Sequence, residues 1–338
     1  MSLDKPLFII TVDTEGDNLW ASPQQISTLN ADYVERFQRL CEEFGFKPTW
    51  LTNYEMVMSD KFVAFGRNAV RRGMAEVGMH LHAWNSPPIK PLTDNDFLWL
   101  PYLIEYPCDV VEEKVSFMTS LLADRFEAQP LSHRAGRWAF NEHYARMLVK
   151  YGYKVDCSVT PHVSWRETLG NPKGAGGTDY TRFPSVPYFM DLDDISRAGD
   201  SNLLEVPTTV IPSPLYRLAP WSYSMRGVRR LAWGYQPKLI WLYPDGTNLA
   251  HMQRSVRHAV SRKAPYIEFI IHSSELMPGG SPHLPDAASI EVLYADMKTL
   301  FKEISHHFAG ATLSEFSSRW IRNLSTVPVD ASLARARP

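Results

Sequence analysis

Leu7-Phe-Ile-Ile-Thr-Val12 runs directly into Asp13-Thr14-Glu15-Gly16-Asp17. The apolar run has the length and β-branched character of a buried strand, and the acids mark its exit. Side chains on extended backbone repeat every two residues, so Asp13 and Glu15 aim the same way. Like charges this close raise one another's pKa. Three acids here therefore point to a bound metal, a shared proton, or a base held beside a metal. The plainer alternative is that Asp17 caps a turn and Glu15 is simply solvated.

The same pattern repeats along the chain. Strands at 47–52, 75–79, 129–132, 153–157, 203–206 and 266–271 alternate with helices near 60–72, 110–124, 141–151, 222–233, 247–262 and 286–306. Between the first two strands, Asn30 caps a helix with Tyr33, Val34, Phe37, Leu40, Cys41 and Phe44 on one face, and Gly45 ends it. Alternation of this kind implies parallel strands joined by right-handed crossovers, closed into a barrel or opened into a doubly wound sheet. No strand is followed by the glycine-rich loop of a dinucleotide or P-loop site. The segments 158–200 and 207–246, rich in proline and aromatics, break the alternation as excursions from one barrel. Leu313 to Trp320 forms a last helix, and Val327 to Pro338 is a frayed tail.

Composition narrows the class of function. The 338 residues are 44% hydrophobic and 21% charged with a net charge of -2, enough for one large core or two modest ones. That balance offers no global field for nucleic acid, although Arg226-Gly-Val-Arg-Arg230 is either a local anion contact or a solvated helix face. Three cysteines without close spacing exclude a disulfide framework or thiolate zinc site, leaving buried free thiols as the default. Leu7 to Val12 is too short for a signal-peptide core and no apolar run spans a bilayer, so a cytoplasmic protein without a membrane span is expected.

If the strands are parallel, their C-terminal ends gather on one face, and residues distant in sequence converge there. His80 and His82 in Glu76-Val-Gly-Met-His80-Leu-His82-Ala-Trp84 point one way and, with a carboxylate from a neighbouring strand, make a two-histidine, one-carboxylate set for a divalent ion. Arg134 in Ser132-His-Arg134-Ala-Gly-Arg137-Trp138 follows a strand and either holds a carboxylate ionised or faces solvent. Asp156 is a histidine-orienting acceptor or a turn acid, and Glu205 before Pro207 ends a strand. His272, closing Ile267-Glu-Phe-Ile-Ile271, is a proton donor or a core histidine.

The order of these sites resembles the polysaccharide deacetylase family, the NodB-homology carbohydrate esterases, over roughly residues 5 to 275. Thr11-Val-Asp13-Thr-Glu15 looks like its first motif, a base followed by a metal-binding acid. Glu76 to His80 resembles the second, Arg134 to Trp138 the third, Asp156 the fourth and Ile271-His272 the fifth. Two departures stand out. The usual adjacent acids are here Asp13-x-Glu15, which favours Glu15 as ligand and leaves Asp17 as a turn residue or reserve ligand. The usual His-x-x-x-His is here His80-x-His82 with Trp84 in the later place, resembling the divergent members associated with surface-polysaccharide biosynthesis.

The resemblance implies a single distorted (β/α)7 barrel with the active site at the C-terminal strand ends, residues 1–325 forming the domain and 326–338 the tail. It implies a metal-dependent hydrolase that removes an N-acyl group, N-acetyl foremost, from an amino sugar or polysaccharide. Glu15, His80 and His82 would hold a divalent ion, zinc foremost. Asp13 would act as base, steadied by Arg134, and His272 as acid, oriented by Asp156, on a water held by the ion. Trp84, Arg137 and Trp138 would contact the sugar. Two alternatives carry different signatures: a metal-independent glycoside hydrolase using Asp13 and Glu205, and a catalytically silent carbohydrate-binding relative.

Overall fold

The computed structural model describes residues 5–19, 25–168, 170, 174, 176–213 and 238–326. The expected helix at 222–233, the Arg226 to Arg230 cluster and the tail from Val327 lie outside the described residues.

In chain order the strands are β1 (Leu7–Thr14), β2 (Pro48–Thr52), β3 (Glu76–Leu81), β4 (Ser132–Ala135), β5 (Val155–Asp156), β6 (Tyr188–Phe189), β7 (Leu204–Glu205), β8 (Val210–Pro212), β9 (Leu239–Trp241), β10 (Tyr266–His272) and β11 (Ala309–Ala311). β10-β1-β2-β3-β4-β5-β7 run parallel in that spatial order and curl into a distorted barrel. Each of the seven strands read from the sequence has its counterpart among them. β6 adds antiparallel beside β7, β11 pairs with the start of β1, and β8 with β9 forms a separate antiparallel pair within the second excursion. Among the described residues β7 and β10 do not pair as strands. Side-chain bonds bridge that gap: the Tyr266 hydroxyl donates to the Pro207 carbonyl, and the Glu268 N–H donates to Thr209 Oγ1 at 2.9 Å.

Alternation within the strands produces two apolar regions. Phe8, Ile10 and Val12 face the surrounding helices and pack with residues such as Phe37, Trp50 and Phe301. Leu7 and Ile9 point the other way and join Leu51, Val155, Leu204, Leu313 and Phe316. Each such side chain, fully buried, contributes about 1.5–3 kcal/mol. The helix Leu313–Thr326 thereby plugs the end of the barrel where the strands begin, and leaves the other end to polar residues.

Local signals set the helix boundaries. Asn53, Ser59, Asn141 and Asp286 cap the helices that follow them. Gly45, at φ +72°, ends the helix Val34–Glu43. Asn30 does not cap that helix, as the sequence suggests it would. It sits in a short 3-10 turn, Leu29–Asp32, and donates its side-chain amide to the Glu15 carbonyl at 2.9 Å and to Asp17 Oδ1 at 2.6 Å. Cys41 and Cys157 are buried free thiols, whereas Cys108 is exposed at the start of the helix Cys108–Phe126. Among the described residues no helix is long and apolar enough to cross a membrane.

Candidate active site

Register brings the site together. Asp13 on β1 lies opposite His272 on β10, and His80 on β3 lies opposite Arg134 on β4. Arg134 does not follow its strand; β4 begins three residues later than the expected 129–132 and carries Arg134 inside the ladder. There its guanidinium is fully buried and partnered on several sides. It donates to Asp13 Oδ1 at 2.6 Å, to Thr11 Oγ1 at 2.8 Å, to Glu268 and to the Cys157 carbonyl at 3.3 Å. The Trp138 ring covers it at 4.7 Å. Burial opposes the charge of Asp13, but Arg134, His80 and His272 outweigh it and hold the carboxyl below its ordinary range.

Glu15 continues past the end of β1. Its backbone is fixed by a bond from its N–H to Ser273 Oγ at 3.1 Å and by Asn30 on its carbonyl. Its Oε2 lies 2.9 Å from His82 Nε2 and 3.6 Å from His80 Nε2. Burial works against its charge, yet hydrogen bonds from the two histidines keep it well below the usual carboxylate range. One ligand atom from each of Glu15, His80 and His82 lies within 4.8 Å of the others, so the three form a group able to hold a divalent cation. The donor chemistry fits. His80 donates from Nδ1 to the Arg134 carbonyl at 3.0 Å, which orients the ring with Nε2 facing Glu15, so that Nε2 becomes a ligand atom once a bound cation displaces its proton. Burial lowers the His82 pKa and favours the neutral ring that a cation requires. Asp17 is not part of the group. Its carboxylate accepts from Ser27 Oγ and from the backbone N–H groups of Leu29 and Asn30 at 2.7 to 2.9 Å, and so ties down the turn.

His272 Nε2 is 3.9 Å from both Asp13 Oδ2 and Glu15 Oε1, a separation that leaves room for a reacting atom among the three. Its Nδ1 lies 3.3 Å from Glu275 Oε2, which also accepts the His272 backbone N–H at 2.9 Å. The Tyr243 hydroxyl donates to the other oxygen of Glu275. Burial would neutralise the imidazole, but Glu275, Glu15 and Asp13 raise it to about 9. Asp156 does not fill the orienting place expected of it. Its Oδ1 meets His133 Nδ1 at 2.6 Å, and it accepts from the N–H and hydroxyl of Ser158. Glu275 stands in that place instead. The spacing His272-Ser-Ser-Glu275 matches a reciprocal turn cap and is the sequence signal for it. The signal for Glu268 is a single acid within an apolar strand, which demands a buried cation.

Gly136 lets β4 turn against the histidine pair. A Cβ there would lie 2.5 Å from the Leu81 carbonyl oxygen and 2.8 Å from His82 Nδ1. The next two residues, Arg137 and Trp138, are both left-handed, with φ of +53° and +59°. Such a conformation costs a non-glycine residue about 1–3 kcal/mol, and it persists only where surroundings impose it. Here the Tyr180 hydroxyl holds the Trp138 carbonyl at 2.5 Å.

Asp13, Glu15, His80, His82 and His272 line a cavity of about 470 Å³ whose remaining wall includes Trp84, Phe97, Tyr102, Arg137, Trp138 and Trp165. A second cavity of about 410 Å³ shares Trp138, Trp165 and His272 and adds Trp241 and Tyr243. A somewhat larger one, about 510 Å³, lies around Leu7, Phe308, Phe316 and Trp320 near the plugged end and contains none of these groups. Chemistry rather than size therefore picks the site. Phe97, Trp165 and Trp241 are absent from the sequence reading; Phe97 enters from the connection after β3, and Trp165 and Trp241 from the excursions. Glu205 is buried beneath this layer and accepts the Val159 N–H at 2.9 Å. It does not line the cavity, so the Asp13 and Glu205 pair needed by a glycoside hydrolase is not formed.

No family model matches the sequence, and no curated protein matches it. Solved structures do. A Parabacteroides distasonis protein classed as a glycoside hydrolase/deacetylase superposes with a TM-score of 0.59 at 12% identity, over 95% of this chain and 73% of that one. A Mycobacterium smegmatis protein classed as a polysaccharide deacetylase gives 0.52 at 14% identity, over 96% and 93%. The chain shares the polysaccharide deacetylase fold. A 4-alpha-glucanotransferase from Thermococcus litoralis also gives 0.52, at 13% identity over 94% of this chain and 41% of that one. The likeness is one of fold, and the chemistry must be argued from the site.

Proposed function

We propose that the protein is a hydrolase that removes an N-acyl group, N-acetyl foremost, from an amino sugar or polysaccharide, with zinc the first candidate for its cation. The observation that carries this reading is the convergence of Glu15, His80 and His82 beside an ion-paired acid and a histidine in one cavity. A cation bound there supplies Lewis-acid polarisation of a carbonyl oxygen and a lowered pKa for water. Asp13, kept ionised by Arg134, takes the proton of the attacking water. His272, held by Glu275, delivers a proton to the departing nitrogen. Trp84, Trp138 and Trp165 offer flat faces on which a sugar ring stacks. The neighbouring cavity along Trp138 and Trp241 gives room for more than the acylated unit.

The test combines metal analysis with acetate release from N-acetylated sugars. The expected protein carries one divalent ion per chain, lost in His80→Ala and His82→Ala. Asp13→Asn keeps the ion and loses about 10²–10⁴-fold in rate. Purified protein with no metal and no acetate release overturns the reading; metal with no turnover makes it a silent binding protein.

A further inference from the structure

Arg137 is the one charged member of the cavity wall outside the reacting cluster. Among the described residues its guanidinium forms no ion pair and no hydrogen bond; its Cζ lies over the Phe97 ring, 5.0 Å from the centroid. The contrast with Arg134 is sharp, since that guanidinium is matched to Asp13, Glu268, Thr11 and a carbonyl. The nearby acids are already engaged. Asp13 belongs to Arg134, and Glu15 faces the two histidines. Around Arg137 the wall is aromatic, made by Trp84, Phe97, Trp138 and Trp165. A half-buried cation in such surroundings has lost water without gaining a counter-ion among the described residues, which is unfavourable until a ligand brings one. Its position is also imposed: two consecutive left-handed residues and the Tyr180 bond to Trp138 hold the turn that presents it. With Cζ over the Phe97 ring at 5.0 Å, the planar guanidinium fork has the geometry to take an oxyanion in a bidentate manner.

We propose that Arg137 recognises an oxyanion, carboxylate or phosphate, carried by the sugar, so that the substrate is an anionic N-acyl amino sugar. This rests on the hydrolase reading for the acyl transfer but not for the binding. The two sources of the oxyanion are a ring carboxylate and a phosphate ester, and the experiment separates them.

Metal-loaded protein is assayed with N-acetylglucosaminuronic acid, N-acetylglucosamine phosphate and neutral N-acetylglucosamine. The expected result is a kcat/KM preference for one of the two anionic sugars over the neutral one, which falls by about tenfold or more in Arg137→Gln, chiefly through KM. Arg137→Lys, which keeps the charge but not the fork, recovers part of it. Comparing sugars within each variant removes the effect of any loss of folded protein. A preference for the neutral sugar, or a fall in kcat by the same factor for all three, overturns the proposal; the second outcome places Arg137 on the carbonyl oxygen instead. Calorimetric binding of the same sugars to Asp13→Asn protein separates the two levels. Arg137-dependent binding of an anionic sugar without any turnover in the wild type refutes the hydrolase reading and leaves this one standing.

Discussion

Asp13 and Arg134 are 121 residues apart in the chain and meet at 2.6 Å inside the barrel. Neither group is solvated, so the pair is a structural commitment as well as an electrostatic one. Removing one partner leaves the other as an uncompensated buried charge, at a cost of about 3–5 kcal/mol. Arg134→Gln and Asp13→Asn are each expected to destabilise the protein, with the double variant losing less than their sum by about 0.5–3 kcal/mol. Urea denaturation of the four proteins measures the coupling; strict additivity would mean that Glu268 and Thr11 are the partners that matter to Arg134.

Gly136→Ala puts a methyl against the Leu81 carbonyl and the His82 ring. Backbone is the nearer obstacle and cannot rotate away. The expected cost is about 1–3 kcal/mol in stability, together with weaker cation binding, because His82 must shift. Calorimetric titration of zinc into the two proteins reads the second effect, and unchanged affinity would show that the ring tolerates the push.

Glu275 Oε2 lies 3.3 Å from His272 Nδ1 and accepts the His272 backbone N–H at 2.9 Å. In the cation-free protein the His272 pKa stands at about 9 against an ordinary 6.5. The group thus contributes stability that is complete below pH 6.5 and is lost as pH rises through about 9. Glu275→Gln removes the charge and should move the imidazole titration, followed by proton NMR, downward toward 6.5. A titration that stays in place would assign the shift to Asp13 and Glu15.

Glu205 works in the opposite sense. Burial, and after it the nearby Asp156 carboxylate, push it well above its usual 4.5, and its Oε2 is buried without a hydrogen-bond partner among the described residues. The folded protein therefore retains a proton that the unfolded chain releases, and stability falls as pH rises above 4.5. Glu205→Gln supplies a permanent donor in the same shape. Denaturation curves across that range should show a decline in the wild type and a flatter profile in the variant.

Much of the frame was legible because apolar runs followed by polar exits mark strands buried between helices, as at Leu7 to Val12 and Ile267 to Ile271. The displaced β4 was not. His133 and Arg134 look like exit residues until their carboxylate partners are known, and those lie 23 and 121 or more residues away. β6, β8 and β9 have two or three residues each, too few for a period to register. In the site, the acid and histidine pairs could be seen from spacing on extended backbone. Motif order points instead to Asp156 as the partner of His272; recognising Glu275, three residues further on, requires the turn that folds it back.

The reacting groups and the walls come from different parts of the chain. Asp13, His80, Arg134 and His272 belong to the strand ladder, whereas Phe97 and Tyr102 come from the connection between β3 and the helix Cys108–Phe126, and Trp165 and Trp241 from the two excursions. The pairing of β1 with β10 and of β3 with β4, which aligns the reacting groups, is made strand to strand, while Thr209 and Leu242 of the second excursion bond to the β10 backbone. The cavity's character is thus shared between the two: the loops bring aromatic faces, and the turn directly after β4 brings Arg137 and Trp138.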